Sequence, residues 1–345
     1  MGTVTTIGID LAKNSFAVHG VDERGRVVLR KTLRRDKVSL FFSNVPPCLV
    51  GMEACAGSAY WQRVIAGHGH TVRRMHARFV APYRTGDKND ANDAAAICVA
   101  ARQPHLRSVP GKTQEQADIQ SVHRVRSGLV RARTAAINQA RGLLGECGIA
   151  VRQGARHLVD SLPALLADQD NGLSRVMRRM LVLLSEHIAS LETQIGSLNQ
   201  VLQDVAKEQE ACGRLLKVPG VGVLGATLLL AVSGAAKEFR NGRQFAAYLG
   251  LVPRQRSTGG KPRLLGITKR GDSYVRTVLI HGARAVLAAM RRGCAPLGSG
   301  AAGVWLMQLV ARRGPNKACV ALANKMARIA WSMLAKGAEY RPATA

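Results

Sequence analysis

An α/β region followed by an all-α region is the fold class predicted by three features of the sequence. Apolar and polar residues alternate near the start, strand-like and helix-like runs then take turns as far as residue 105, and most of the remainder follows a helical period. "TVTTIGIDLAKNSFAVHGVDERGRVVLRKTL" is interrupted at "LAKN" and "DERG", which predicts three short antiparallel strands. "RDKVSLFFSN" suits a first helix, "PPCLVGMEA" a buried strand, "SAYWQRVIAGHG" a helix closed by glycine, "HTVRRMHA" another strand and "GDKNDANDAAAICVA" a further helix. Strands and helices that alternate after an antiparallel start give a mixed sheet covered by helices.

The Pro- and Gly-bearing "RQPHLRSVPGKTQ" reads as a linker. After it, no acidic residue occurs from Ile119 to Gly145, a helical stretch with Arg124, Arg126, Arg131, Arg133 and Arg141. Solvated helix faces usually mix signs, so this run suits phosphate contact, with a plain solvated face as the alternative. Leu181, Leu184, Ile188, Leu191, Ile195, Leu198, Leu202 and Val205 recur at 3,4 spacing, a coiled-coil seam that either joins two chains or packs within one. "LLKVPGVGVLGATLLLAVSG" suits a helix-hairpin-helix-like element whose backbone N–H groups admit a phosphate, or a simple tight turn. Four segments follow: 1–105, a mixed-sheet domain; 106–170, a basic helical linker region; 171–210, coiled coil; and 211–340, a helical C-terminal domain.

With 345 residues, 47% of them hydrophobic, the chain can build real cores, yet its formal charge is +28. Fifty Lys and Arg spread along the sequence would repel one another unless a polyanion offset them, which makes nucleic acid the expected partner. No segment reaches the roughly 18 uncharged apolar residues of a spanning helix, and no N-terminal signal precedes "VTTIGID", so a cytoplasmic protein with no membrane partner is expected. Seven cysteines, without ligand spacing, read as small buried residues in a reducing compartment. His68 and His70 in "HGHT" are either metal ligands or hydrogen-bonded residues at a strand entry.

Asp87, Asp90 and Asp93 stand three apart where a helix begins. Carboxylates suit the positive end of a helix dipole, so an acidic first turn is one explanation. Asp10, at the end of "IGID", and Glu53, at the end of "LVGMEA", add acids to strands that are otherwise apolar, and burying such groups without a cation is costly. Asp10, Glu53, Asp90 and Asp93 thus form a set of oxygen ligands for hard divalent cations, Mg2+ or Mn2+. Two such ions can clamp the attacking and leaving oxygens of a phosphodiester displacement. Asp87 is left as a helix-start residue.

"GIDLAK", "GMEACAGSAYW", "KNDANDAAAI", "KVPGVG", "FAAYLGLVPRQRSTGGK" and "GITKRGDSYVRTVLIHGARA", in this order over nearly the whole chain, resemble the DEDD transposases of the insertion sequence 110 family. The resemblance implies an RNase H-like, RuvC-like N-terminal domain with Asp10, Glu53, Asp90 and Asp93 as its acidic tetrad. It also implies a C-terminal catalytic serine matching Ser257, and guidance by a structured (bridge) RNA that pairs with donor and target DNA. Many relatives read Ser-Ser-Gly where this chain has Ser257-Thr258-Gly259. The expected activity is RNA-guided DNA strand exchange through a transient phosphoserine link, with Arg254, Arg256, Lys261 and Arg263 supplying positive charge for the scissile phosphate and Lys269 and Arg270 as further nucleic-acid-binding residues. A homo-oligomer, dimer or tetramer, would let a composite site form between subunits. Two other classes compete. "IGIDLAKNSFAVHGVD" also looks like the first phosphate loop of sugar kinases and actin-like ATPases, a nucleotide phosphotransferase reading that lacks a second glycine-rich motif and leaves the charge unexplained. A non-catalytic RNA-binding protein explains the charge but not the placed acids.

Overall fold

Three consecutive strands, β1 (Thr6–Asp10), β2 (Ser15–Val21) and β3 (Val27–Arg34), form where the alternation predicts them, each antiparallel to the next. A short helix α1 (Val38–Ser43) leads to β4 (Leu49–Glu53), and α2 (Ser58–Gly67) leads to β5 (Thr71–Met75). β4 pairs parallel to β1 and β5 parallel to β4, the pairing that needs a crossover connection. The resulting mixed sheet has five strands in the order β3-β2-β1-β4-β5, with the fully buried Ile7 and Ile9 in its central strand. Edge strand β3 exposes Arg30, Lys31 and Arg34, charges that discourage pairing with a foreign strand. The computed structural model describes residues 3–234, 236–294, 297 and 300–341, and its contacts divide into two compact units, 1–113 and 114–345.

Strand alternation sorts the sheet's side chains between two layers. Ile7, Ile9, Val50 and Met52 pack with Phe42 of α1 and with Trp61 and Ile65 of α2. The opposite face is covered by α3 (Ala77–Val80) and α4 (Asp90–Arg102), where Val80, Ala96, Ile97, Ala100 and Ala101 join Met75. Asn89 caps α4 by accepting from the Asn92 N–H at 2.8 Å, so Asp87 is not the helix start; its carbonyl instead accepts from Asn92 Nδ2. His70 is buried at the entry to β5, with Nε2 2.9 Å from the Phe42 carbonyl and Nδ1 3.2 Å from the Cys48 amide. That is the hydrogen-bonded alternative, not a metal ligand. Among the cysteines, Cys48, Cys98, Cys212 and Cys319 are buried as expected, whereas Cys55 and Cys294 are exposed and Cys147 is half-buried.

The second unit begins with α5 (Gln114–Glu146), α6 (Ala155–Ala167) and α7 (Arg175–Glu208). Along the heptad seam of α7, Leu181, Ile188, Leu191, Ile195 and Leu202 are buried and Leu184, Leu198 and Val205 half-buried, and the packing partner belongs to the same chain. Leu181 and Ile188 pack with Ala136, Ile137, Ala140 and Leu144 of α5, while Leu202 packs with Ile119. Contacts that advance along α7 as they retreat along α5 define an antiparallel hairpin. Of the two alternatives that the heptads leave open, packing within one chain is the one seen here, with α5 as the helical partner.

Next come α8 (Glu210–Leu216) and α9 (Val223–Ser233), joined by the "VPGVG" turn. A Cβ on Gly282 would lie 2.0 Å from the Gly220 carbonyl, so this turn is pressed onto another helix. The remaining elements are α10 (Gly242–Tyr248), the strands β6 (Pro253–Thr258) and β7 (Lys261–Ile267), α11 (Ser273–Arg291), which carries Gly282, α12 (Ala301–Arg313) and α13 (Pro315–Lys336). Phe245, Leu228, Leu279, Leu322 and Met326 anchor their common core. Burying each such side chain contributes roughly 1.5–3 kcal/mol.

Candidate active site

Two glycines bring the acids together. On β1 the residues facing α4 are Thr6, Gly8 and Asp10; on β4 they are Leu49, Gly51 and Glu53, because their neighbours Ile7, Ile9, Val50 and Met52 face the other layer. A Cβ on Gly8 would lie 2.2 Å from the Ala94 carbonyl and 2.4 Å from the Cys98 amide, and one on Gly51 would lie 2.6 Å from the Ala101 Cβ. Only glycine lets α4 approach the sheet this closely. Cys98 also reaches the Thr6 carbonyl, so the helix runs backwards along β1 and its first turn arrives at the strand's end. Asp10 and Glu53 thereby meet Asp90 and Asp93 at the carboxyl edge of two parallel strands, where open α/β sheets gather ligands.

The electrostatics record this crowding. Burial, then Asp93, Asp90 and Glu53, push the Asp10 carboxyl up to about 6, against the pull of a hydrogen bond from the Leu11 amide. Glu53 is raised by burial and by Asp93, with Lys88 and Arg84 opposing. Arg84 Nη1 donates to Asp93 Oδ1 at 3.0 Å. Among the described residues no three His, Cys, Asp or Glu side chains converge tightly enough to cage an ion as they stand. The donor set nevertheless fits one: hard carboxylate oxygens suit a divalent cation, whose charge would offset the burial and repulsion that raise Asp10.

Ser257 lies in the other unit, on an exposed two-stranded ribbon. β6 and β7 are joined by Gly259-Gly260, both at positive φ, as the type I′ hairpin turn requires. Ser257 Oγ accepts from Gln255 Nε2 at 2.7 Å. Residues paired across a ribbon share a face, so the pairs Arg256↔Arg263 and Thr258↔Lys261 set Arg256, Thr258, Lys261 and Arg263 on one side. Ser257, Pro262, Gln255 and Leu264 occupy the other. The cations closest to Ser257 in sequence are thus displayed away from its face, and Arg254 sits at an irregularity in the pairing. Lys269 and Arg270 are exposed just beyond the ribbon.

Of the five α5 arginines, three are engaged within the helical unit. Arg126 Nε donates to Asn199 Oδ1 at 2.6 Å, Arg133 pairs with Glu192 at 3.5 Å, and Arg141 donates to the Arg152 and Gly154 carbonyls. Arg124 and Arg131 remain exposed. Sequence reasoning passed over Arg243, Arg313, Lys317, Lys325 and Arg328, which line one groove. Their common signal, on α13, is the spacing of Lys317, Asn324, Lys325 and Arg328 along one helical face. Among the described residues no helix is long and apolar enough to cross a membrane.

Comparison with known proteins accounts for both units. Residues 7–149 match a DEDD transposase model of the IS110 group, and residues 212–295 match the family described as "Transposase IS116/IS110/IS902 family". A "Probable family 20 transposase" of Pseudomonas aeruginosa is 49% identical over 340 residues, which covers 98% of this chain and 99% of that protein. The "Transposase for insertion sequence element IS1111A" of Coxiella burnetii is 42% identical, covering 99% and 92% of the two chains. A third relative, "Transposase for insertion sequence element IS1328" of Yersinia enterocolitica, is 38% identical over 98% of each. The five-stranded mixed sheet, its edge of acids and this similarity along the full length agree: the chain belongs to the IS110 family of transposases and has DNA as a partner.

Proposed function

We propose that this transposase cuts and exchanges DNA strands through a covalent link to Ser257, under the direction of a structured RNA that pairs with donor and target DNA. The observation that carries the reading is the meeting of four carboxylates from three elements at one sheet edge in a chain of charge +28. Asp10, Glu53, Asp90 and Asp93 would hold Mg2+ or Mn2+, which when bound supplies charge neutralisation and Lewis acidity at the scissile phosphate. Asp10 and Glu53 present their carboxylates from rigid strand ends, and Asp90 and Asp93 present theirs from the positive end of α4. Ser257 Oγ forms an ester to phosphorus while a P–O bond to deoxyribose breaks, and the departing oxygen takes a proton equivalent to the one that serine loses. A deoxyribose hydroxyl of the partner strand then attacks the phosphoserine, which restores Ser257 and leaves no net hydrolysis. RNA guidance and assembly into an oligomer rest on the family resemblance and the basic charge.

A suicide DNA substrate tests the covalent step. Wild-type protein should form a denaturation-resistant adduct, with the nucleotide on the peptide containing Ser257. Ser257→Ala should lose the adduct yet still bind nucleic acid, and Thr258→Ala, whose hydroxyl lies on the ribbon's other face, should retain it. Efficient cleavage by Ser257→Ala with free 5′-phosphate ends would refute the serine and leave activated water as nucleophile.

A further inference from the structure

We infer that the groove between the β6–β7 ribbon and α13 is a channel for the sugar–phosphate backbone of a nucleic-acid strand, leading it onto the face of the ribbon that carries Ser257. The groove measures about 1720 Å³, well above the usual 300–1,000 Å³ of a small-molecule site. Six cations line it (Arg243, Lys269, Arg313, Lys317, Lys325 and Arg328), and no Asp or Glu does. Among the described residues none of these six has an acidic partner in an ion pair. Unneutralised like charges facing one cavity repel one another, and a run of phosphates is the ligand that reverses that cost.

Three details orient the ligand. Trp305 holds the Lys325 ammonium 5.0 Å from its ring centroid, which steadies that charge at the wall. Lys269 is the one described non-glycine residue with positive φ, +53°, and its amide is tied to the Gly250 carbonyl at 3.1 Å. The fold therefore accepts local backbone strain where the ribbon meets the groove. Leu264 lines the groove and shares a ribbon face with Ser257, so the groove reaches the serine's side of the ribbon. The inference rests on the proposed role of Ser257 only for this last point; the binding channel stands without it.

The test measures binding and covalent capture separately. Lys317→Gln, Lys325→Gln and Arg328→Gln are combined, and affinity for a labelled single-stranded RNA, its DNA counterpart and the DNA duplex is followed against salt. Removing three phosphate contacts should lower the log–log salt slope by about two units for a single strand. The nucleic acid that shows the loss identifies the occupant. Unchanged slopes for all three would overturn the channel. Full-length wild-type protein is also photocrosslinked to thio-substituted versions of the same strands. Crosslinks on α13 or Trp305 support the channel, and crosslinks confined to other elements overturn it even should the triple variant fail to fold. In the suicide-substrate assay, a wild-type adduct alongside unchanged slopes condemns the channel alone, whereas reduced slopes without any adduct condemn the serine alone.

Discussion

Replacing Asp10 with Asn should make the metal-free protein more stable while abolishing cleavage. Burial and three neighbouring carboxylates raise the Asp10 carboxyl from 3.8 to about 6, so the folded state holds this proton more tightly than the unfolded chain does. Between these values the folded state binds more protons, and stability falls as pH rises. Above about 6 the full penalty is present. Each tenfold change in proton affinity corresponds to about 1.4 kcal/mol, and because water reaches the half-buried side chain we take roughly half of the resulting energy, or about 1.5 kcal/mol. Asn removes the charge with little change of volume. Thermal unfolding in EDTA should therefore show Asp10→Asn melting ~5 °C above wild type at pH 7.5, with the two converging near pH 4. Added Mg2+ should raise the wild-type midpoint by binding the folded state, and raise the variant's less. A variant that melts below wild type at pH 7.5, or a difference independent of pH, would refute the placement of Asp10 among repelling carboxylates.

Other expectations follow from neighbouring features. Gly8→Ala should cost about 3 kcal/mol or more by urea titration, because its Cβ would meet backbone atoms of α4 that cannot swing aside. Arg124→Ala with Arg131→Ala should lower the salt slope of nucleic-acid binding by about two units, whereas Arg133→Ala, which breaks the contact with Glu192, should reduce stability more than slope. Leu191→Asp should destabilise the helical unit itself by about 3–5 kcal/mol, read by circular dichroism; a folded chain with altered light scattering alone would show instead that the seam serves assembly.

Much of this fold was legible because alternation and helical period are local properties. The strands around Ile7 and Val50, the first helix and α4 all stand where the pattern puts them. Asp10 and Glu53 were legible as acids at the ends of apolar strands. Their shared face was harder to read: the repeated order glycine, apolar residue, acid in "GID" and "GME" signals it only once α4 is known to lie against both glycines. The ribbon escaped notice because both its strands are mostly exposed and so lack apolar alternation, although Gly259-Gly260 was its turn signal. Heptads on α7 announced a partner without saying whose, and the choice of α5 is a tertiary fact. The basic groove is assembled from residues 241 to 332, a separation over which charge spacing carries no register.

The α5–α7 hairpin has one further consequence. Its longer helix has 34 residues, which at 1.5 Å each makes a rod of about 50 Å, near the axial length of fifteen base pairs. Because each helix packs against the other, the rod's length is set within one chain. Inserting whole turns into both helices should therefore lengthen the rod in steps of about 5.4 Å.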